Sequence, residues 1–193
     1  MKIGIIGKSG AGKSTLIALL AKEHEFNAYE ADPLGGLRVL YPGAEEYTGI
    51  AAEPCLIEFP VLEKSFRLLS RDPEVQVVLA TLPHLHAIEE AKGVAETLHR
   101  YCPNEVLGVV VNQSGRKMAE KVAAKLNQKL LGFLPQEHRL DDCLVEGDLQ
   151  GYRMSRRMER ALDAIGSSLG LKKKASEKRK GFSFLGRLRK WAT

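Results

Sequence analysis

The stretch Gly7-Lys8-Ser9-Gly10-Ala11-Gly12-Lys13-Ser14 decides the fold, because it fits the pattern G-x-x-x-x-G-K-[ST] of a phosphate-binding loop. The apolar run 3–6 before it is typical of a buried strand, and the run 15–21 after it is typical of a helix. In such a turn, backbone N–H groups close around a phosphate chain at the positive end of the helix dipole. We therefore predict that this loop binds nucleotide phosphates.

The individual residues of the loop have separate expected roles. Lys13 is expected to reach the outer phosphates, and Ser14 is expected to ligate Mg²⁺. The candidate nucleotide-binding residues of the loop are Gly7, Lys8, Ser9, Gly10, Ala11, Gly12, Lys13, Ser14 and Thr15. A glycine-rich turn formed by chance is the alternative, and it does not explain why the flanking strand and helix patterns agree with the motif.

Lys8 is not required by a generic phosphate loop. It matches the signature lysine of the deviant loop in MinD/ParA-type ATPases (the SIMIBI class), and on this motif the chain resembles that family over roughly residues 1–169. The resemblance implies a homodimer that sandwiches two ATP molecules, with Lys8 contacting the phosphates of the partner's nucleotide. It therefore implies catalytic roles for Lys8 and Lys13. A solvated lysine in an exposed turn is the alternative.

An acidic strand end follows the first helix. Segment 25–33 alternates in polarity, suits a second strand, and ends in Glu30 and Asp32 before a proline. It resembles the family's D-x-D-P segment, and the resemblance gives Asp32 the catalytic role of orienting the attacking water. A carboxylate at this edge of a parallel sheet can also order Mg²⁺-bound water. The alternative is that Asp-Pro only ends the strand.

The next acidic strand end departs from the family. Run 54–60 has the apolar residues and the acid of a Walker B strand, but Glu58 stands where the family pattern D-T-P-x-G has aspartate. Val61 replaces a small or glycine-like continuation, which removes backbone flexibility from the loop that responds to the γ-phosphate. Glutamate is one methylene longer and can still hold a Mg²⁺-bound water. We expect slow hydrolysis, with a protein that binds ATP without hydrolysing it as the alternative. The candidate metal ligands are Ser14, Asp32 and Glu58.

Two later strand ends indicate a site for the base. The apolar run 106–111 ends in Asn112 and resembles the family strand that closes in V-V-N, whose asparagine bonds the adenine edge. An amide offers both a donor and an acceptor to a base, although a turn-forming asparagine is the alternative. Run 130–135 resembles the family's last core strand, L-G-x-x-P, and the backbone just after Pro135 is expected to line the base pocket.

The remaining pattern predicts an α/β fold, with a mostly parallel sheet flanked by helices on both faces. Run 74–81 is rich in β-formers, and residues 34–40 suit one short helix or a mobile flap. Two helices are indicated by apolar spacing, one through Ile88, Ala91, Val94, Ala95 and Leu98, and a closing one between 148 and 169 through Tyr152, Met154, Met158, Leu162, Ile165 and Leu169.

Composition limits the function classes. With 193 residues and 44% hydrophobic content, the chain can bury one substantial core. Its longest apolar runs are well short of the roughly 20 residues that span a bilayer, and the start does not read as a secretory signal, so we expect a cytoplasmic protein. Cys55, Cys102 and Cys143 are isolated and indicate reduced thiols. A CooC-like metallocentre-maturation ATPase is an alternative, but its C-x-C pair is missing, and His84-Leu85-His86 is expected to be a loop feature.

The positive charge is concentrated at the carboxyl end. Residues 172–193 hold nine Lys or Arg and one Glu, a local +8 against a total of +5, so the rest of the chain is mildly acidic. We predict an ATPase domain over 1–170, a basic disordered linker over 171–180 and a basic amphipathic tail helix over 181–193. The apolar residues of the tail are Phe182, Phe184, Leu185, Leu188 and Trp191, of which Phe182 lies off the stripe.

Such a tail suits an anionic membrane surface, with rings and leucines buried and cations facing the headgroups. The family resemblance extends here, because MinD-like proteins end in a short basic amphipathic helix. We therefore predict a cytoplasmic ATPase that attaches peripherally to the inner face of the cell membrane when ATP makes it dimerise, and that positions a protein partner. The alternatives for the tail are a nucleic-acid-binding arm, a partner-docking helix and a helix packed on its own domain.

Overall fold

The structure is a computed structural model and describes residues 1–31, 35–146, 149 and 151–175. Asp32 lies outside the described residues, and so do the tail residues Phe182, Phe184, Leu185, Leu188 and Trp191. The strands are β1 Lys2–Ile6, β2 His24–Glu25, β3 Asn27–Glu30, β4 Glu45–Glu46, β5 Cys55–Phe59, β6 Val75–Thr81, β7 Val106–Val111, β8 Leu130–Phe133 and β9 Lys172–Lys173. The helices are α1 Lys13–Glu23, α2 Gly36–Leu40, α3 Glu63–Arg71, α4 Leu85–Tyr101, α5 Arg116–Leu126, α6 His138–Glu146 and α7 Arg156–Ser168.

A seven-stranded sheet in the order β4-β3-β5-β1-β6-β7-β8 forms the centre of the molecule, and every neighbouring pair runs parallel. One face is covered by an apolar cluster that includes Leu16 and Leu20 of α1 and Leu162 of α7. The other face is covered by a cluster that includes Leu69 of α3, Leu98 of α4 and Val122 of α5. The predicted fold class is therefore confirmed.

Helix α1 is embedded between the sheet and its neighbouring helices. All six residues from Leu16 to Ala21 are buried, so the helix has no wide polar face. It packs against β5, α2 and α7. A helix that is apolar all round is stable only when it is enclosed in this way, and here the enclosure fixes the position of the loop from which α1 starts.

The second and last predicted elements differ from expectation at their ends. The second strand ends at Glu30, and His24–Glu25 forms a separate antiparallel pair with β9. The closing helix begins at Arg156, because the Ser155 hydroxyl caps it by accepting from the Met158 N–H at 3.1 Å. Tyr152 and Met154, which were expected inside this helix, precede it. Residues 36–40 form the short helix that was one of the two predicted possibilities.

The start of the predicted linker also differs from expectation. Residues 172–173 form β9, whose Lys173 ammonium lies 2.7 Å from the Asp163 carboxylate. The Lys174 N–H donates to the carbonyl oxygen of Glu23 at 2.8 Å, at the end of α1. Composition indicated a linker here, but strand pairing and these contacts attach residues 171–175 to the domain.

Within the described part of the chain, no helix combines the length and the apolar character that crossing a membrane requires.

Candidate functional site

The phosphate loop connects β1 to α1 at the carboxyl edge of the sheet and fits tightly between its neighbours. Gly10 and Gly12 have φ angles of 81° and 78°, a region that favours glycine. A Cβ at Gly12 would lie 2.5 Å from Asn112 Nδ2, and a Cβ at Gly7 would overlap the carbonyl oxygen of Ala80. Backbone conformation therefore favours glycine at positions 10 and 12, and close packing favours it at positions 7 and 12.

Lys13, Ser14 and Glu58 meet at the start of α1. The Ser14 hydroxyl donates to Glu58 Oε1 at 2.8 Å, and Lys13 Nζ lies 3.7 Å from the same oxygen. The side chains of Lys13 and Glu58 are 6% and 3% exposed, so this is a buried ion pair next to a hydroxyl. Hydroxyl and carboxylate oxygens are ligands that suit Mg²⁺, so the donor set fits that ion.

A cavity of about 630 Å³ opens beside these three residues. Its lining includes Ser9 and Gly10 of the loop, and also Gly36 of α2 and Pro60, Val61 and Leu62 after β5. Sequence reasoning identified the loop and Glu58 but missed Gly36 and Leu62 as lining residues. Gly36 reaches the cavity because α2 packs next to the loop in the folded chain. A Cβ atom added at Gly36 would lie 3.6 Å from Ser14 Oγ.

Glu30 does not share this cavity, although it occupies the first acidic place of the D-x-D-P resemblance. Its buried carboxylate accepts from the Leu37 N–H at 2.6 Å and from Arg38 Nε at 2.9 Å. These bonds fix α2 against the end of β3. Glu30 therefore positions the helix that lines one side of the cavity.

Lys8 lies on the rim, with about half of its side chain exposed. Its ammonium group pairs with the Glu90 carboxylate of α4 and lies 3.5 Å from His86 Nε2, which is itself 2.9 Å from Glu90. His84 Nδ1 instead caps α4 by accepting from the Ala87 N–H at 3.3 Å. The two histidines thus have separate partners, and within the described ranges no group of three or more His, Cys, Asp or Glu is arranged to hold a metal ion.

Asn112 and Pro135 line a second, smaller cavity of about 60 Å³ beside the loop, together with Gly12 and Thr15. Asn112 is 4% exposed and donates from Nδ2 to the Ala11 carbonyl oxygen. The far wall includes Glu137, whose carboxylate accepts from the hydroxyls of Tyr152 and Ser155. Burial, with the hydrogen bond to Glu137, raises the pKa of Tyr152 well above its ordinary value, so this hydroxyl keeps its proton.

Several solved structures are similar to this chain over most of its length. A chain of the MinC:MinD cell division protein complex from Aquifex aeolicus superimposes with a TM-score of 0.65 at 15% identity, covering 88% of this chain and 96% of that one. The septum site-determining protein MinD with Mg-ADP from Pyrococcus horikoshii gives 0.65 at 13% identity, covering 87% and 95%. This chain has the fold of the MinD/ParA-type P-loop ATPases.

A third solved structure has a similar fold. The McdA–ATP complex from Cyanothece has a TM-score of 0.63 at 14% identity and covers 91% of this chain and 98% of that one. No protein-family model and no curated protein sequence matches the chain. At these identities the similarity is one of fold, and the resemblance predicted from the phosphate loop is confirmed at that level.

Proposed function

We propose that this chain binds Mg-ATP at the phosphate loop, hydrolyses it slowly and uses it to form a homodimer. The observation that carries the proposal is the buried group formed by Lys13, Ser14 and Glu58 at the start of α1, under a complete G-x-x-x-x-G-K-[ST] loop. In loops with this motif, the lysine binds the phosphates and the serine or threonine hydroxyl binds their cation, so the grouping of Lys13 and Ser14 with a carboxylate supports the proposal. Solved neighbours of the same fold contain Mg-ADP and ATP, which supports the choice of ligand.

The residues divide the work of phosphoryl transfer between binding and positioning. Loop amides and Lys13 bind the phosphates, while Ser14 and Glu58 hold Mg²⁺, whose charge neutralises the phosphates when it is bound. Asp32 positions the attacking water, and Lys8 acts on the nucleotide of the second subunit. Lys8 must leave Glu90 to do so, because the ion pair now holds it within its own chain. Asn112 and the backbone after Pro135 receive the adenine.

Membrane attachment depends on the tail in this proposal. Each basic residue near an anionic surface contributes on the order of 1 kcal/mol. One tail therefore binds weakly, whereas two tails on one dimer act at high effective concentration. ATP-driven dimerisation then places the protein at the inner face of the cell membrane, and hydrolysis returns it to the cytoplasm. A protein partner is part of the proposal, since a neighbour of the same fold is a MinC:MinD complex.

Liposome co-sedimentation tests the dimer and the tail together. We compare the full chain with a version ending at Ala175, which keeps β9 and its contacts with α1. The full chain should pellet with anionic vesicles only in Mg-ATP, and the shortened chain should stay in the supernatant. A Lys8→Ala variant with an intact tail should bind ATP but not pellet. Equal pelleting of full and shortened chains would contradict the role of the tail.

A nucleotide-gated adaptor without hydrolysis is the second candidate. It is favoured by Val61, which lines the phosphate cavity where the family has a small or glycine-like residue, and by Glu58 in place of aspartate. Steady-state phosphate release, with and without vesicles, separates the two candidates. Turnover that Asp32→Ala abolishes would support the ATPase, and the absence of turnover in the parent would support the adaptor.

A further inference from the structure

The small cavity beside the loop contains a buried acceptor that lacks a donor. Asn112 Nδ2 faces the Ala11 carbonyl oxygen, which can only accept, so the orientation of the amide is set. Its Oδ1 has no hydrogen-bond partner among the residues described, although the residue is only 4% exposed. A buried acceptor without a donor costs free energy, so this atom favours a ligand that donates a hydrogen bond.

Two carboxylates line the same cavity, and within the described part of the chain only that of Glu137 accepts hydrogen bonds from other side chains. Glu137 accepts from the Tyr152 and Ser155 hydroxyls and so ties the wall of the cavity to the start of α7. Asp141, in the first turn of α6, is half-buried, and its carboxylate has no hydrogen-bond or ion-pair partner within the described part of the chain. The remaining polar side chains of the lining are the half-buried Thr15 and the exposed Gln113 and Gln136, whose hydroxyl and amide groups can present either a donor or an acceptor.

We infer that Asp141 selects purine nucleotides with an amino group at position 6 over those with an oxygen there. The inference rests on the proposed ATP site. The 6-amino group of adenine has two N–H donors, one for Asn112 Oδ1 and one for the Asp141 carboxylate. Hypoxanthine has a carbonyl oxygen at the same position, which would face these two acceptors without a proton between them. A site with buried acceptors rejects a base that lacks the matching donor.

The substitution Asp141→Asn tests this selection directly. An amide of the same shape can present either its oxygen or its NH₂ group, so it accepts a 6-oxo purine as readily as a 6-amino purine. The parent should bind Mg-ATP at least about tenfold more tightly than Mg-ITP, and Asp141→Asn should reduce that ratio to about threefold or less. Asp141→Ala should weaken ATP binding about tenfold, because it removes an acceptor for the 6-amino group, and should not weaken ITP binding.

Asp142→Asn is the matched control, because Asp142 is exposed, adjoins Asp141 in α6 and is not part of the cavity lining. It should keep the parent ratio of ATP to ITP dissociation constants, measured by calorimetry, and thermal unfolding would verify that each variant is folded. A parent ratio near one, or an equal ratio in the parent and Asp141→Asn, would overturn the inference while leaving ATP binding intact. A parent that binds neither triphosphate would overturn both the inference and the proposed function.

Discussion

Glu58 is buried beside Lys13, and this pairing explains how a carboxylate and an ammonium group both remain inside the domain. Taking either charge out of water alone would cost several kcal/mol, and the partner offsets that cost. The Ser14 hydroxyl donates to the same oxygen of Glu58 at 2.8 Å, so the three groups are already assembled in the chain without ligand. On this account Glu58 is the residue through which Mg²⁺ strengthens nucleotide binding.

Glu58→Gln should remove most of the effect of Mg²⁺. The amide keeps the shape and can still accept from Ser14, but it lacks the negative charge that attracts the cation. We expect the gain in ATP affinity on adding Mg²⁺ to shrink by about tenfold. Calorimetry with and without the cation measures this gain. Glu63→Gln, in an exposed i,i+4 pair with Arg67 on α3, is the control and should behave as the parent. An unchanged gain in Glu58→Gln would contradict the assignment.

At the scale of elements, α1 connects the phosphate loop to residues 172–174, which precede the predicted tail helix. Its eleven residues span roughly 16 Å, from Lys13 at the loop to Glu23, whose carbonyl receives the Lys174 N–H. The following residue, His24, pairs with β9 and packs its buried ring against Gly166 of α7. The carboxyl-terminal elements α7 and β9 thus meet the distant end of α1, the helix that carries the nucleotide-binding residues.

Gly166→Ala should destabilise this junction. A methyl group at Gly166 would overlap the imidazole of His24, which is 2% exposed and enclosed on all sides. We expect a loss of about 1–3 kcal/mol in the free energy of unfolding, measured by urea denaturation. Gly93→Ala is the matched control, because Gly93 lies within α4 with open space around it. That change should stabilise the protein by about 0.5–1 kcal/mol. Equal effects of the two substitutions would refute the packing argument.

The elements also show which features local sequence can predict. The loop and the run of buried strands follow from local patterns of glycine and apolar residues, and both are present. For residues 34–40 the same patterns left a short helix or a mobile flap open, and the structure has the helix α2. The predicted start of α7 was wrong, because contacts hold Tyr152 outside the helix. The Tyr152 hydroxyl donates to Glu137, and Lys22 Nζ donates to the Tyr152 carbonyl oxygen at 3.0 Å. Strand β9 and the partner of Lys8 were missed for the same reason. Each depends on a residue more than eighty positions away along the chain.

At the scale of the whole molecule, a polar network joins the start of β1 to the residues that directly follow β4 and α3. Lys2 of β1 donates to Asp72 at 2.9 Å, and the Tyr47 hydroxyl donates to the same carboxylate oxygen at 3.4 Å. The hydrogen bond to Asp72 raises the pKa of Lys2, and burial, with the nearby Asp72 charge, raises the pKa of Tyr47 to about 12. Both groups therefore keep their protons up to a higher pH in the folded chain than in the unfolded chain.

Stability should therefore fall in alkaline solution. Above pH 10, the ordinary pKa of tyrosine, the unfolded chain ionises at Tyr47 while the folded chain does not until about pH 12, so unfolding is favoured across this window. Tyr47→Phe should lose less stability than the parent between pH 9 and pH 12 in urea titrations. Tyr101→Phe, at a ring 65% exposed, is the control and should follow the parent. An identical alkaline decline in all three proteins would rule out this contribution of Tyr47.

Calorimetric titration with Mg-ATP is the most direct test of the central claim, which is that the loop at residues 7–14 binds the nucleotide. The parent should take up one ATP per chain, and Lys13→Ala should bind at least about tenfold more weakly because it removes a charge-assisted bond to the phosphates. Lys64→Ala, an exposed lysine on α3, should bind as the parent does. No binding by the parent, or equal affinity in the parent and Lys13→Ala, would contradict the account.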